Sequence, residues 1–194
     1  MKQESQKRRA VIVHCWSGNP NYCWYPQTKK ELEALGFQVE VPEMPETDVP
    51  KLSLWLPKLQ EVIGVPDEEL FLIGHSIGTV TIMRYLESLP EDKKIGGVVL
   101  VAGFTESLGF QELENFFIKP LHLERIKSKA KKFVLIQSDN DPFVPVQYGN
   151  RLQKELNGEL ITKSGMGHFS GEIEDEKACV SVPEVAESIK QMIN

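Results

Sequence analysis

Leu70-Phe71-Leu72-Ile73-Gly74-His75-Ser76-Ile77-Gly78 is the stretch whose reading decides the fold. Its first four residues form an apolar run suited to a buried strand, and the segment from Ile77 onward carries helical periodicity. A Gly-x-Ser-x-Gly placed between such a strand and such a helix is the setting of a nucleophile elbow. There the serine takes a strained backbone conformation that projects its hydroxyl, and the flanking glycines let strand and helix pack against a sharp turn. Ser76 also stands at a helix N-terminus, where the positive dipole end favours developing negative charge. The plainer alternative is a tight turn whose serine merely caps the helix.

Working outward, similar apolar runs recur at Ala10-His14, Phe37-Val41, Gly97-Val101, Phe133-Gln137 and, more weakly, Glu159-Thr162. Helical periodicity fills the gaps at Trp24-Leu35, Lys51-Ile63, Ile77-Leu89, Val146-Leu156 and Val185-Ile193, with Gly36, Gly64 and Gly158 as stop signals. Alternating strands and helices imply parallel strands joined by right-handed crossovers. Strands that are apolar throughout imply helices on both sheet faces. The sequence therefore predicts an α/β fold with a doubly wound, mostly parallel sheet of about six strands. Pro42, Pro45 and Pro50 mark one long loop, so residues 1–194 read as one domain with residues 1–9 as a flexible tail. Within the less regular stretch Phe104-Lys132, Phe104, Leu108, Phe110, Phe116 and Phe117 suit either the core or the wall of an acyl pocket.

Bulk properties narrow the function. The 194 residues carry a formal net charge of −6, which argues against nucleic acid or an anionic membrane as partner, since both call for a basic footprint. Ala10-Val13 is too short for a signal segment or a membrane span. Cys15, Cys23 and Cys179 form no CxxC pair and leave one thiol over in any disulfide scheme, as expected of a cytoplasmic protein. HExxH, P-loop and GxGxxG motifs are absent and the four histidines are scattered, so neither a metal nor a cofactor is expected.

A serine hydroxyl is a weak nucleophile and needs a base within hydrogen-bond reach and a third group to fix that base. His168, in Gly165-Met166-Gly167-His168-Phe169, follows the last strand on a glycine-rich loop. Asp139 and Asp141 follow the strand Phe133-Gln137, at the carboxyl edge where open α/β sheets keep their sites. Either aspartate completes the chain order Ser, Asp, His. His14, at the end of the first strand, and His75, beside the serine, are rival bases, while His122 reads as a surface residue. The loop His14-Cys15-Trp16-Ser17-Gly18-Asn19-Pro20 leaves the first strand at the same edge. Ile77 and Trp16 are the expected oxyanion donors through their backbone N–H groups, with Ser17 as the alternative to Trp16. The aromatics Trp16, Tyr22, Trp24 and Tyr25 suit either a substrate entrance or ordinary packing.

Taken together, His14 to Pro20, Val41-Pro42-Glu43-Met44-Pro45 followed by Trp55, the elbow, Asp141-Pro142-Phe143-Val144-Pro145 and Gly167-His168-Phe169 resemble the YdeN-like branch of the α/β-hydrolases, a group that includes retinoblastoma-binding protein nine. The resemblance spans nearly the whole chain. It implies a minimal hydrolase without a large cap domain, and it selects Asp141 over Asp139 because Asp-x-x-Val-Pro recurs in the pattern. The chain departs from it at Cys15, where many relatives have glycine. It also lacks the Leu-x-Cys-x-Glu segment associated with retinoblastoma-protein binding, so that partner is not carried over.

The expected activity is that of a serine hydrolase on small acyl substrates, foremost carboxylic esters, with Ser76 as nucleophile, His168 as base and Asp141 as its orienting acid. Ser17, Trp24 and Phe143 are the expected substrate contacts. About thirty residues separate the fourth strand from the fifth, too few for a large lid. Peptide or aminoacyl-amide cleavage is the alternative within enzymes, and a non-catalytic binding protein on the same fold is the alternative outside them.

Overall fold

The computed structural model describes residues 7–171 and 177–194. Its elements follow in the order β1 (Arg9–Val13), α1 (Tyr25–Ala34), β2 (Gln38–Glu40), α2 (Leu52–Ile63), β3 (Leu70–His75), α3 (Ile77–Ser88) and β4 (Gly97–Val101). A 3-10 helix (Gln111–Phe116), α4 (Leu123–Ser128), β5 (Phe133–Ser138), α5 (Gln147–Leu156), β6 (Glu159–Lys163) and α6 (Pro183–Met192) complete the described chain. All strand pairs are parallel, in the order β2-β1-β3-β4-β5-β6.

Period-two alternation along the strands feeds two cores. Val11, Val13, Leu70, Leu72, Val98, Leu100, Phe133 and Leu135 meet Trp55 and Leu59 of α2, Val80 and Met83 of α3, Ile126 of α4 and Leu152 of α5. The alternate residues Ala10, Ile12, Phe71, Ile73, Val99, Val101, Val134 and Ile136 meet Leu32 of α1 and Val185 and Ile189 of α6. Both faces are therefore dry, which is why the central strands carry continuous apolar runs. After β1 the chain moves outward to β2, then crosses back over β1 to β3 and proceeds to β6. This reversal opens a crevice at the carboxyl ends of β1 and β3. Val13 pairs with Gly74 and His75 with Val101 in the register, so the loops leaving β1, β3 and β4 emerge side by side.

Two expectations need correction. The expected tail, residues 1–9, overlaps β1: Arg9 is its first residue, and its guanidinium donates to Ile63 O at 2.7 Å, Val65 O at 2.8 Å and the Asp67 carboxylate at 2.9 Å. A charged residue is held there because the α2–β3 loop supplies acceptors that local sequence does not reveal. Residues 1–6 lie outside the described residues. At the end of α5 the left-handed position is Asn157 (φ 51°) rather than Gly158. Gly158 serves close packing instead, since a Cβ there would stand 2.6 Å from Leu135 Cδ2.

Candidate active site

Ser76 stands between β3 and α3 with φ 54° and ψ −122°, a strained conformation for a residue with a side chain. The flanking glycines are sterically required. A Cβ on Gly74 would lie 2.8 Å from the Thr79 backbone, and one on Gly78 would lie 2.3 Å from Val13 O. The elbow thus brings the first turn of α3 against the end of β1.

Three side chains in a row after β5 and one hydroxyl at its end hold the histidine loop. Ser138 Oγ accepts from Met166 N at 3.0 Å, Asp139 Oδ1 from Gly165 N at 2.9 Å and Asn140 Oδ1 from Gly167 N at 2.9 Å. Asp141 Oδ2 stands 2.8 Å from His168 Nδ1, while its Oδ1 accepts from Phe143 N and Val144 N, both at 2.9 Å. The Asp141 side chain is fully buried and that of His168 is 9% exposed. Asp139 thereby gains a different task from Asp141: it faces solvent, and the Gly165 N–H holds its carboxyl below the usual range.

Ser76 and His168 border one cavity of about 240 Å³, together with Trp16, Ser17, Tyr22, Phe143 and others. Among the described residues no hydrogen bond joins the Ser76 hydroxyl to the His168 ring, the looser spacing common in unliganded sites. Ser76 is only 8% exposed as a residue, and it borders this cavity.

The rival histidines are both committed elsewhere. His14 Nε2 accepts from Met44 N at 3.1 Å, which leaves the proton on Nδ1 to donate to Cys15 O at 2.8 Å. His75 Nε2 donates to His168 O at 2.7 Å, and its Nδ1 lies 2.6 Å from the Tyr25 hydroxyl. Tyr25 in turn accepts from Cys15 N at 3.0 Å. Because the last acceptor is a carbonyl and the first donor an amide, the directions are fixed: Cys15 N–H to Tyr25, Tyr25 O–H to His75, His75 N–H to His168 O. Burial depresses the basicity of both rings, that of His75 strongly, so neither is free to act as a base. Burial also pushes the Cys15 thiol up to about 11, which keeps it protonated and a poor nucleophile.

In the loop after β1, Cys15 N donates to Tyr25, Ser17 N to Thr47 O at 3.0 Å and Gly18 N to Cys15 O at 3.1 Å. The N–H of Trp16 has no acceptor within the described residues, and neither does that of Ile77 at the first position of α3. Ser17 lines the cavity, but its amide is occupied. Phe143, 37% exposed, packs edge-on against His168 at 5.2 Å between ring centroids. Trp24 corrects an expectation. It is fully buried, 5.6 Å from the His75 ring and away from the cavity. Helix α1 begins immediately after it, and this turns Trp24 and Tyr25 beneath the elbow rather than toward substrate.

The family model described as serine hydrolase matches residues 10–178. The chain belongs to the serine hydrolase family. YdeN of Bacillus subtilis (strain 168) is 32% identical over 170 residues, 87% of this chain and 88% of YdeN. The serine hydrolase RBBP9 of Rattus norvegicus is 30% identical over 166 residues, 83% of this chain and 87% of RBBP9. The crystal structure of the ydeN gene product matches at a TM-score of 0.88 and 30% identity, covering 96% of this chain and 98% of that one. Est1E from Butyrivibrio proteoclasticus, solved with ferulic acid bound, shares the fold at a TM-score of 0.72 and 15% identity, with coverage of 100% and 91%.

Within this serine hydrolase several residues around the site escaped the sequence reading. Ser138 and Asn140 have no role assigned from sequence, and only the fold brings them to Met166 and Gly167. Tyr25 and His75 are fifty positions apart and meet only where the first residue of α1 reaches the last residue of β3. Leu113, which borders the cavity, carries no signal beyond being apolar.

Proposed function

We propose that this serine hydrolase is a carboxylic ester hydrolase using Ser76, His168 and Asp141. The Ser76 hydroxyl oxygen attacks the ester carbonyl carbon while its proton passes to His168 Nε2, the nitrogen not engaged by Asp141. The resulting oxyanion is met by the N–H groups of Trp16 and Ile77. Collapse breaks the bond to the alcohol oxygen, which takes the proton from His168. Water, deprotonated by the same nitrogen, then attacks the acyl-enzyme and releases the acid and free Ser76. Asp141 keeps Nδ1 protonated and faces the imidazolium that forms in each half-reaction.

The observation that carries this reading is the 2.8 Å bond from His168 Nδ1 to the buried Asp141 carboxylate, with His168 and the strained elbow residue Ser76 bordering the same cavity. Two uncommitted N–H groups at the positions the fold prescribes support the oxyanion assignment. The chain's three cysteines are free thiols, which suits a reducing compartment, and we place the enzyme in the cytoplasm. No described helix is long and apolar enough to cross a membrane. A fluorophosphonate probe followed by intact-mass measurement tests the mechanism. One adduct on the wild type, none on Ser76→Ala, and parallel loss of p-nitrophenyl acetate turnover are expected. An unlabelled, folded wild type would refute it.

A further inference from the structure

The cavity beside Ser76 is roofed by rings from three separate segments. Trp16, on the loop after β1, meets Phe110 edge-on at 5.9 Å between centroids. Phe110 meets Phe143 at 6.4 Å, and Phe143 meets His168 at 5.2 Å. An unbroken line of edge-to-face contacts thus runs from the oxyanion loop to the histidine, and Phe110 is its keystone, contributed by a segment that holds none of Ser76, Asp141 and His168.

That segment is fixed in place. Two consecutive left-handed residues, Leu108 (φ 56°) and Gly109 (φ 84°), precede Phe110, and Phe110 N donates to Ser107 O at 2.9 Å. Farther along, Asn115 accepts from Leu52 N at 2.8 Å and donates to Pro50 O at 3.0 Å. The buried Arg84 of α3 donates to Phe116 O at 2.8 and 3.0 Å. With both ends of the segment tied down, the roof has a set height. The cavity volume of about 240 Å³ admits roughly eight water-sized groups at about 30 Å³ each. Apart from His168, the ionisable groups among its described lining residues are the weak acids Cys15 and Tyr22, both held protonated by burial, and Phe104, Leu108, Phe110, Leu113 and Val144 are apolar. A charged acyl group would lose its hydration there with no counter-ion among the described residues.

Resting on the assignment of Ser76 as nucleophile, we propose that Trp16, Phe110 and Phe143 close an acyl pocket that selects uncharged, apolar acyl groups of up to about eight non-hydrogen atoms, with Phe110 setting the limit. The acyl group, unlike the alcohol, stays bound through both half-reactions, so the space under the aromatic roof serves it best.

The test compares kcat/KM for p-nitrophenyl esters from acetyl to dodecanoyl, with the hemisuccinate as charged acyl and a second series in which the alcohol lengthens at constant butyryl. Wild type is expected to peak between four and eight acyl carbons, to fall at least tenfold by dodecanoyl, and to use the hemisuccinate at least a hundredfold less well than butyrate. Phe110→Ala should raise the decanoyl-to-butyryl ratio at least tenfold, and Phe110→Leu should raise it less. Taking the ratio within each variant removes any effect of a partly unfolded sample. A flat wild-type profile, hemisuccinate turnover comparable with butyrate, a ratio unmoved by Phe110→Ala, or sensitivity confined to the alcohol series would each overturn the proposal. If fluorophosphonate still labels Ser76 in those cases, only the pocket assignment fails. Absence of both labelling and ester turnover overturns the hydrolase reading and this proposal with it.

Discussion

Replacing Tyr25 with phenylalanine removes a single oxygen from the buried chain that runs from Cys15 N–H through His75 to the carbonyl of His168. Two groups lose their partners at once: the amide of Cys15, which is 4% exposed as a residue, and Nδ1 of His75, which is fully buried. Leaving a buried polar group unsatisfied costs about 1–3 kcal/mol, so the pair costs about 2–6 kcal/mol. That is a large share of the roughly 5–15 kcal/mol that holds such a domain together. With a urea m-value of about 2 kcal/mol/M, the unfolding midpoint should fall by about 1–3 M. Activity should suffer separately from stability, because Cys15 precedes the Trp16 N–H and His75 precedes Ser76. A ten- to hundredfold loss in kcat with KM within about twofold is the expected pattern for displacement of the reacting groups. Urea unfolding and steady-state ester hydrolysis under conditions where the variant is fully folded measure both. A midpoint shift below about 0.3 M together with near-normal kcat would refute the idea that this chain of hydrogen bonds sets the site's geometry.

Three further outcomes follow from the same packing. His14 and His75 have pKa values lowered by burial relative to their ordinary value. The stability they contribute is therefore complete above about pH 6.5 and is lost as pH falls from there toward the folded-state values, at up to about 1.4 kcal/mol per pH unit for each ring. Urea midpoints between pH 7.5 and 5 should show this fall, and a His75→Gln variant should flatten it; an equal slope in both proteins would contradict the assignment. Cys15, with its thiol pushed up to about 11, should resist iodoacetamide at pH 7.5 and react once urea unfolds the chain, as read by peptide mass. Asn140→Ala removes the acceptor of Gly167 N and of the Ser138 hydroxyl. It should cost about 1–2 kcal/mol and lower kcat more than it raises KM, and an unchanged kcat would count against Asn140 as a positioning residue.

The large-scale architecture was legible because it rests on signals of short range. β-branched runs, helical spacing and the glycines around Ser76 each act within one element, and every strand core from β1 to β6 lies where its apolar run stands. Asp141 and His168 needed more, since local spacing left Asp139 equally open until the Asp-Pro-Phe-Val-Pro pattern was weighed. What stayed hidden depends on contacts between distant segments. Trp24 looked like a wall of the entrance because it follows the loop after β1, but the start of α1 turns it inward. Arg9 looked like the end of a charged tail because its acceptors lie more than fifty residues away. The twin neutral states of His14 and His75 follow from hydrogen-bond direction, which no sequence pattern encodes.

The placement of the histidine loop has a consequence for how the enzyme fails. Ser76 hangs from the middle of the sheet, whereas His168 is held by the last residue of β5 and the three that follow it, and by the outermost strand, β6, whose residues are all at least partly exposed. An edge strand with little buried surface opens at lower free energy than the centre. Parting β5 from β6 would draw His168, the proposed base, off Ser76 while both cores remained intact. Catalysis therefore reports on a small peripheral cooperative unit, and the amides of Gly165, Met166 and Gly167 should exchange with solvent at the temperature where turnover ceases, before those of β3 do.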